Sequence, residues 1–211
     1  MEDKRKNQNK KKKIISDYNK TANFYDKRYE AIQKEKYKAI LNNYRDFNRL
    51  ILDLGCGTGL FFEYLIKTNV AKNITKSNYI AVDISWNMLL KFKSKTFKDD
   101  NFGHLPNFIL SDIDHLPFRE NTFDMIFTFT SFQNLPSIRN GIEELTRVCK
   151  NNTDFVFSIL KKNLDLNSLL KILELYVKDI IVIQKEKLED IIIQGKISQL
   201  KTFRPIIYKK T

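Results

Sequence analysis

Three glycines at alternate positions, preceded by a carboxylate, form the motif in this sequence that points most clearly to chemistry. Asp53 lies in an apolar run that begins at Leu50, and Gly55, Gly57 and Gly59 follow before a stretch of helical character. Glycine allows backbone conformations and close approaches of a ligand that a side chain would block. The amides at the start of the following helix add a mildly positive surface. The motif therefore predicts a strand-to-helix turn that binds a ligand.

The spacing of this turn disfavours two common kinds of glycine-rich site. A phosphate-binding P-loop ends in Gly-Lys-Ser or Gly-Lys-Thr, whereas Leu60 follows Gly59 here,. A dinucleotide fingerprint has its third glycine one position later, where the chain again has Leu60,. A turn without a ligand is the remaining alternative, so the choice depends on residues further along the chain.

An acidic residue also ends the second apolar run. Residues 78–82 read as a strand that ends at Asp83. The carboxyl ends of neighbouring parallel strands lie at one edge of a sheet, where a carboxylate can accept hydrogen bonds from both hydroxyls of a ribose. Paired with the glycine turn, Asp83 favours the interpretation of a ligand site over that of a bare turn.

These motifs resemble those of the class I S-adenosylmethionine (SAM)-dependent methyltransferases of the methyltransferase type 11 kind. The run from Asp53 to Gly59 is similar to the first motif of that family. Asp83, Ser85 and the Met88-Leu89 pair follow the family pattern after strand two. The segment 18–26 resembles an N-terminal helix that in this family folds over the cofactor as a lid.

The resemblance implies SAM as the cofactor and a role for each residue at the turn. Asp53 is expected near the methionyl amino group, Asp83 at the ribose and Ile84 against the adenine ring. Asp112 is expected beside the adenine amino group, with Asp114 as the alternative. The predicted cofactor-binding residues are Asp53, Gly55, Gly57, Asp83, Ile84, Asp112 and Ile113.

The residues that follow the predicted fourth strand, 123–129, are informative through the motifs that they lack. No Asn-Pro-Pro-aromatic or Asp-Pro-Pro-aromatic motif is present there to grip a planar amino group, and no cysteine is present to attack a pyrimidine. Gln133 and Asn134 cannot take a proton at neutral pH, so we expect them to orient an acceptor. An aromatic ring near a sulfonium gains about 0.5–2 kcal/mol of cation–π attraction. The predicted acceptor-side residues are Tyr18, Tyr25, Gln133 and Asn134.

Strand and helix patterns alternate about five times, which predicts an α/β fold with a parallel sheet and right-handed crossovers. The resemblance implies a Rossmann-like, seven-stranded, mostly parallel sheet in three α/β/α layers, with the last strand antiparallel. We predict a disordered basic tail over residues 1–13, a helical lid over 14–48, the SAM-binding domain over 49–195 and a basic tail over 196–211.

The net charge of +12 is concentrated at the two ends of the chain. Residues 1–13 hold seven basic and two acidic side chains, and residues 196–211 hold five basic and no acidic ones, so each end carries +5 and the rest carries +2. Such ends could attract nucleic acid or an anionic membrane surface, or could simply be solubilising. No apolar run is long enough to span a membrane, and no secretory signal precedes the lysines. The two cysteines match no metal spacing, so we expect a reducing, cytoplasmic setting and no metal site.

The sequence therefore predicts a methyltransferase whose acceptor is either a small molecule or an RNA or ribonucleoprotein. Basic ends favour RNA, whereas a compact body with a lid favours a small molecule. An activating protein subunit is a further possible partner. The alternative is a catalytically silent, methyltransferase-like scaffold that binds a partner. A NAD-dependent oxidoreductase is disfavoured by Leu60 and by the lack of a Tyr-x-x-x-Lys motif.

Overall fold

The chain folds around one twisted sheet in a computed structural model that describes residues 2–41, 44, 46–68, 74, 78–98, 106–198 and 206–210. Its elements begin with one long helix and then alternate between strands and helices. Among the described residues, the α-helices are α1 Glu2–Leu41, α2 Leu60–Lys67, α3 Trp86–Lys98, α4 Ile138–Val148 and α5 Leu166–Leu173, and a short 3-10 helix spans Phe132–Asn134. The strands are β1 Ile51–Leu54, β2 Tyr79–Asp83, β3 Asn107–Leu110, β4 Phe123–Phe129, β5 Cys149–Leu160, β6 Val177–Gln184, β7 Asp190–Ile197 and β8 Ile207–Lys210.

The strand order across the sheet is β3-β2-β1-β4-β5-β7-β6-β8. β7 runs antiparallel to both of its neighbours, and the other described strand pairs are parallel. The predicted Rossmann-like, mostly parallel sheet with an antiparallel seventh strand is confirmed. The sheet has eight strands rather than seven, because residues 207–210 of the predicted basic tail add an edge strand beside β6.

Hydrophobic side chains cover both faces of the sheet in two separate clusters. The strand β1 is buried at all four positions, as expected for a central parallel strand with helices on both faces,. One cluster packs α4 and α5 on one face, and the other packs the C-terminal part of α1 and α2 on the opposite face. The predicted three-layer arrangement is therefore present, and it places the carboxyl ends of β1, β2 and β4 at one edge.

The N-terminal 40 described residues form a single helix, so the predicted disordered tail over residues 1–13 is wrong for residues 2–13. Lysine, arginine, glutamate and glutamine are good helix formers, and no proline or glycine interrupts residues 2–13,. Two of the lysines also reach polar partners on the body: Lys10 Nζ donates to Leu135 O at 2.6 Å, and Lys11 contacts Asp112. Residues 2–13 are therefore continuous with the helix predicted to begin at residue 14.

Helix α1 is long enough to cross a bilayer but rich in charged residues. Among the described residues, no helix combines the length and the apolar composition that a membrane-spanning segment requires. Residues 199–205 and 211 of the predicted basic C-terminal tail lie outside the described residues.

Candidate functional site

The glycine turn joins β1 to α2 at the carboxyl edge of the sheet. Gly55, Gly57 and Gly59 have φ values of 74°, 55° and 79°, a region that residues with a side chain rarely adopt. A Cβ atom at Gly59 would lie 2.2 Å from Phe92 Cδ2, whereas one at Gly57 would meet no protein atom within 4 Å. Gly57 therefore borders open space from which a ligand can approach the backbone.

Asp83 ends β2 directly beside this turn. Its Oδ2 accepts a hydrogen bond from the Gly57 N–H at 2.8 Å, and its Oδ1 accepts one from the Ser85 N–H at 2.8 Å. Burial raises the pKa of the Asp83 carboxyl, and hydrogen bonds from the backbone of Ser85, Gly57 and Ile84 counteract the rise. A carboxylate offers about four lone-pair positions, so Asp83 can still accept a hydrogen bond from a hydroxyl donor.

The turn and Asp83 border a cleft with an empty volume of about 680 Å³, which we call the first cleft. Two of the predicted site residues, Asp53 and Gln133, do not line it. The other predicted site residues do: Tyr18, Tyr25, Gly55, Gly57, Asp83, Ile84, Asp112, Ile113 and Asn134.

Asp53 lies below the glycine turn and is only 2% exposed. Its Oδ2 accepts a hydrogen bond from the Tyr79 hydroxyl at 2.7 Å. Burial raises the pKa of Asp53 to about 7, while the Tyr79 hydrogen bond lowers it and the Asp83 charge raises it. Asp53 lines a small cavity of about 320 Å³ that shares Gly55 and Gly57 with the first cleft. A cationic group that enters this small cavity would favour the ionised carboxylate.

Asp112 lies on the far rim of the first cleft, after β3. Lys11 Nζ contacts Asp112 Oδ2 at 2.5 Å and Asp114 Oδ2 at 2.7 Å. Asp112 lines the first cleft and Asp114 does not, which favours Asp112 of the two alternatives. His115 is exposed in the same loop, as expected for a loop residue.

Helix α1 covers the first cleft in the manner expected of a lid. Tyr18 and Tyr25 form part of the cleft wall, with their ring centroids 6.4 Å apart. Between them, Asn19 Oδ1 accepts a hydrogen bond from the Ser85 hydroxyl at 2.7 Å. Asp26 accepts a hydrogen bond from the Thr58 hydroxyl in the glycine turn. The helix is therefore tied to both strand exits that build the first cleft.

A second cleft with an empty volume of about 1,150 Å³ opens on the other side of the two tyrosines. Gln133 lies in its wall, and the Gln133 Nε2 group donates to Thr130 O at 2.5 Å. Asn134 Nδ2 donates to the Tyr18 hydroxyl at 2.9 Å. Four residues line both this second cleft and the first cleft: Tyr18, Tyr25, Thr130 and Asn134.

The sequence analysis missed a buried ion pair at the second cleft. Lys36 on α1 and Asp190 at the start of β7 are 2% and 0% exposed, with Nζ and Oδ1 2.9 Å apart. The Thr130 hydroxyl accepts from Lys36 at 2.7 Å and donates to Asp190 Oδ2 at 2.8 Å. Burial lowers the pKa of Lys36, although Asp190 opposes this shift. No local motif marks either residue, because 154 positions separate them in the sequence.

Comparisons with known proteins find similar methyltransferases. The family described as "Methyltransferase domain" matches residues 52–157, about half of the chain. A malonyl-[acyl-carrier protein] O-methyltransferase from Buchnera aphidicola is 34% identical over 151 residues, which are 71% of this chain and 55% of that protein. The chain spans about half the length of the first curated relatives that it matches.

Two solved structures share the fold. A SAM-dependent methyltransferase from Aquifex aeolicus superimposes with a TM-score of 0.63 at 22% identity, over 85% of this chain and 98% of that chain. A methyltransferase in complex with the Trm112 methyltransferase activator of Haloferax volcanii has a TM-score of 0.53 at 20% identity. That alignment covers 67% of this chain and 59% of the other chain. At such identities these likenesses concern the fold alone.

Proposed function

The chain belongs to the methyltransferase domain family, and we propose that it binds SAM in the first cleft and methylates an acceptor held in the second cleft. The family match confirms the predicted resemblance to the class I SAM-dependent methyltransferases. The assignment of individual residues to cofactor and acceptor is our proposal.

The residues around the first cleft fit SAM by their chemistry. Gly57 leaves room for a ligand against the backbone, since a Cβ there would meet no protein atom within 4 Å. Asp83 lines the first cleft and can accept a hydrogen bond from a ribose hydroxyl,. Asp53 in the adjoining small cavity offers a carboxylate to an amino group. Ile84 and Ile113 offer apolar contacts to a flat base.

The observation that carries the proposal is the wall that the two clefts share. Tyr18, Tyr25, Thr130 and Asn134 line both clefts, so a ligand in the first and a molecule in the second would meet at these residues. Positioning two reactants in this way can supply about 7–11 kcal/mol of the barrier. No further catalytic machinery is required by such a reaction.

When bound, SAM supplies a methyl group that an acceptor atom takes by in-line displacement, the sulfur keeping the bonding electron pair. The residues of this chain exclude water and orient the acceptor rather than remove its proton. Burial raises the pKa of the Tyr18 and Tyr25 hydroxyls, so both remain protonated. Gln133 and Asn134 cannot accept a proton at neutral pH. An acceptor atom that carries a proton would release it to bulk water when the methylated product leaves the cleft.

The acceptor is proposed as a small molecule before RNA or a ribonucleoprotein. The second cleft is a concave pocket of limited volume whose charged lining residues are Arg28, Lys36, Glu189 and Asp190. Two positive and two negative charges cancel, which does not favour a polyanion. The basic N-terminal part of α1 supports RNA as the alternative, with Lys12 and Lys13 exposed. The oxygen-methylating relative supports an oxygen atom as the methylated position.

We also propose an activating protein subunit as a partner of this chain. The structure with the Trm112 activator supports it only through a shared fold. A pull-down with the tagged full chain from native cells tests it directly. A cytoplasmic location stays a prediction from the sequence.

Transfer of labelled methyl from SAM to a native cell extract tests the proposed function. The label is then sorted by solvent extraction, ribonuclease and protease into small molecules, RNA and protein. We expect label in the small-molecule fraction and none with Asp83→Ala. Label in the RNA fraction would favour the alternative acceptor. No label in any fraction, although S-adenosylhomocysteine (SAH) binds, would identify a catalytically silent scaffold.

A further inference from the structure

The N-terminal part of α1 bridges the two rims of the first cleft. Lys11 Nζ contacts carboxylate oxygens of Asp112 and Asp114 at 2.5 Å and 2.7 Å on the β3 side. Lys10 Nζ donates to Leu135 O at 2.6 Å on the β4 side. Lys11, Asp112 and Leu135 all line the first cleft, so these contacts lie at its mouth rather than on a remote surface.

The Lys11 contacts are shielded compared with an ordinary surface ion pair. The side chains of Lys11, Asp112 and Asp114 are 21%, 22% and 11% exposed. Burial opposes the charge on Lys11, but the hydrogen bonds and charges of both carboxylates outweigh it and raise the pKa of the Lys11 ammonium. Two carboxylates close together repel one another, so the ammonium also holds this loop in place.

We propose that Lys11 is a latch that closes helix α1 over the Asp112 end of the first cleft, and that the latch must open for the cofactor to enter or leave. This inference rests on the proposed function, because it takes SAM or SAH as the ligand. Lys11 is a positioning residue in this account: it sets the place of Asp112 and of the helix.

The closed latch and a bound cofactor are compatible. Asp112 Oδ2 accepts from Lys11, and Asp112 Oδ1 accepts from the Asp114 N–H at 3.2 Å. A carboxylate has about four lone-pair positions, so Asp112 can receive a further donor without losing Lys11. The latch therefore stabilises the closed helix in both the free and the bound chain. Its removal should change the rates of exchange more than the affinity.

The test measures the release of tritiated SAH during a chase with unlabelled SAH, together with the equilibrium dissociation constant. For Lys11→Met we expect release to be about fivefold faster, with a change in affinity of less than about threefold, since an ion pair that is present in both the free and the bound state largely cancels in the affinity. High salt should speed release from the wild type and leave Lys11→Met unchanged, because salt screens the ion pairs.

Two variants keep the test specific. Lys12→Met is the matched control, since Lys12 is the next residue of the same helix, is exposed and has no ion pair among the described residues. Lys12→Met should release SAH at the wild-type rate, and Lys11→Arg should restore slow release. Circular dichroism checks that α1 stays helical in each variant.

Two results would overturn the latch while leaving the proposed function intact. One is SAH release from Lys11→Met at the wild-type rate. The other is a lower affinity caused by slower association alone, which would make Lys11 a direct ligand-binding residue. A wild-type chain that does not bind SAH would instead contradict the proposed function itself, and the latch with it.

Discussion

The first and second clefts share one wall but are built from the chain in different ways. The first cleft takes its central groups from two short segments, the glycine turn after β1 and the residues from Asp83 after β2. The second cleft has a buried pair, Lys36 and Asp190, contributed by elements at opposite ends of the chain. Backbone conformation therefore dominates the first cleft, whereas long-range packing of side chains dominates the second.

This difference suggests that the first cleft mainly serves cofactor binding, whereas the buried ion pair of the second cleft mainly serves the stability of the fold. In the first cleft, the left-handed glycines and the amides that bind Asp83 are fixed by local hydrogen bonds. In the second cleft, the ion pair between Lys36 and Asp190 also links helix α1 to strand β7 of the sheet. Substitutions in the first cleft should mainly change cofactor affinity, and those at the buried pair should mainly change stability.

Breaking the buried pair tests this division most severely. Lys36→Met leaves Asp190 buried without its cation, so we expect the free energy of unfolding to fall by roughly 3–5 kcal/mol. Urea unfolding followed by circular dichroism measures the change. The exposed pair Lys38–Glu35 on the same helix is the control, and Lys38→Met should leave the free energy of unfolding nearly unchanged, because water screens an exposed ion pair. Equal, small losses in both variants would contradict a structural role for Lys36.

Gly57→Ala tests whether the backbone of the first cleft is what the cofactor requires. An alanine at a φ of 55° costs roughly 1–2 kcal/mol of strain, and its Cβ enters the open cleft,. We expect SAH affinity to fall about tenfold. Asn152→Ala is the control, since Asn152 also has a positive φ, of 68°, but lies outside both clefts. Similar affinities in the two variants would mean that the cleft tolerates the added methyl group.

The pH dependence of stability tests the buried carboxylate of Asp53, which lies in the small cavity beside the first cleft. The pKa of Asp53 is raised to about 7 in the folded chain, above about 3.9 for an unfolded aspartate. The folded state therefore binds this proton more tightly, and its contribution to stability is present below about pH 4 and lost as the pH rises to about 7. Asp53→Asn should remove that part of the slope in urea unfolding between these pH values. An unchanged slope would contradict a raised pKa for the buried Asp53 carboxyl.

The smallest effect is expected for a residue of the second cleft that does not line the first. Gln133→Met should change SAH affinity by less than about threefold, because Gln133 lines only the second cleft,. The same variant should reduce the transfer of labelled methyl to the extract. Isothermal titration and the labelling assay measure the two properties on one preparation. A large loss of SAH affinity would place Gln133 on the cofactor side instead.

The sequence was sufficient for much of the fold and of the first cleft because the relevant signals are local. Apolar strands that end in a carboxylate or a glycine turn identify the edge at which Asp83 and Gly57 lie. Asp112 was recognised through the family resemblance, and the structure places it at the same edge.

The residues of the second cleft could not be predicted from local sequence signals in the same way. Nothing in the sequence around Asp190 indicates that Lys36 would be its partner. The contacts of Lys10 and Lys11 with the body were likewise not predictable, since they form only once the body has folded. Pairing across such sequence distances depends on tertiary packing, which periodicity and spacing do not record.

Isothermal titration of the wild-type chain and of Asp83→Ala with SAH tests the central claim most directly. The variant lacks the Asp83 carboxylate that lines the first cleft, and a hydrogen bond to a charged group is worth about 1.5–3 kcal/mol. We predict that the wild type binds SAH with one site per chain and that Asp83→Ala binds at least about tenfold more weakly. Equal binding by the two proteins, or no binding by the wild type, would contradict the assignment of the first cleft as the cofactor site.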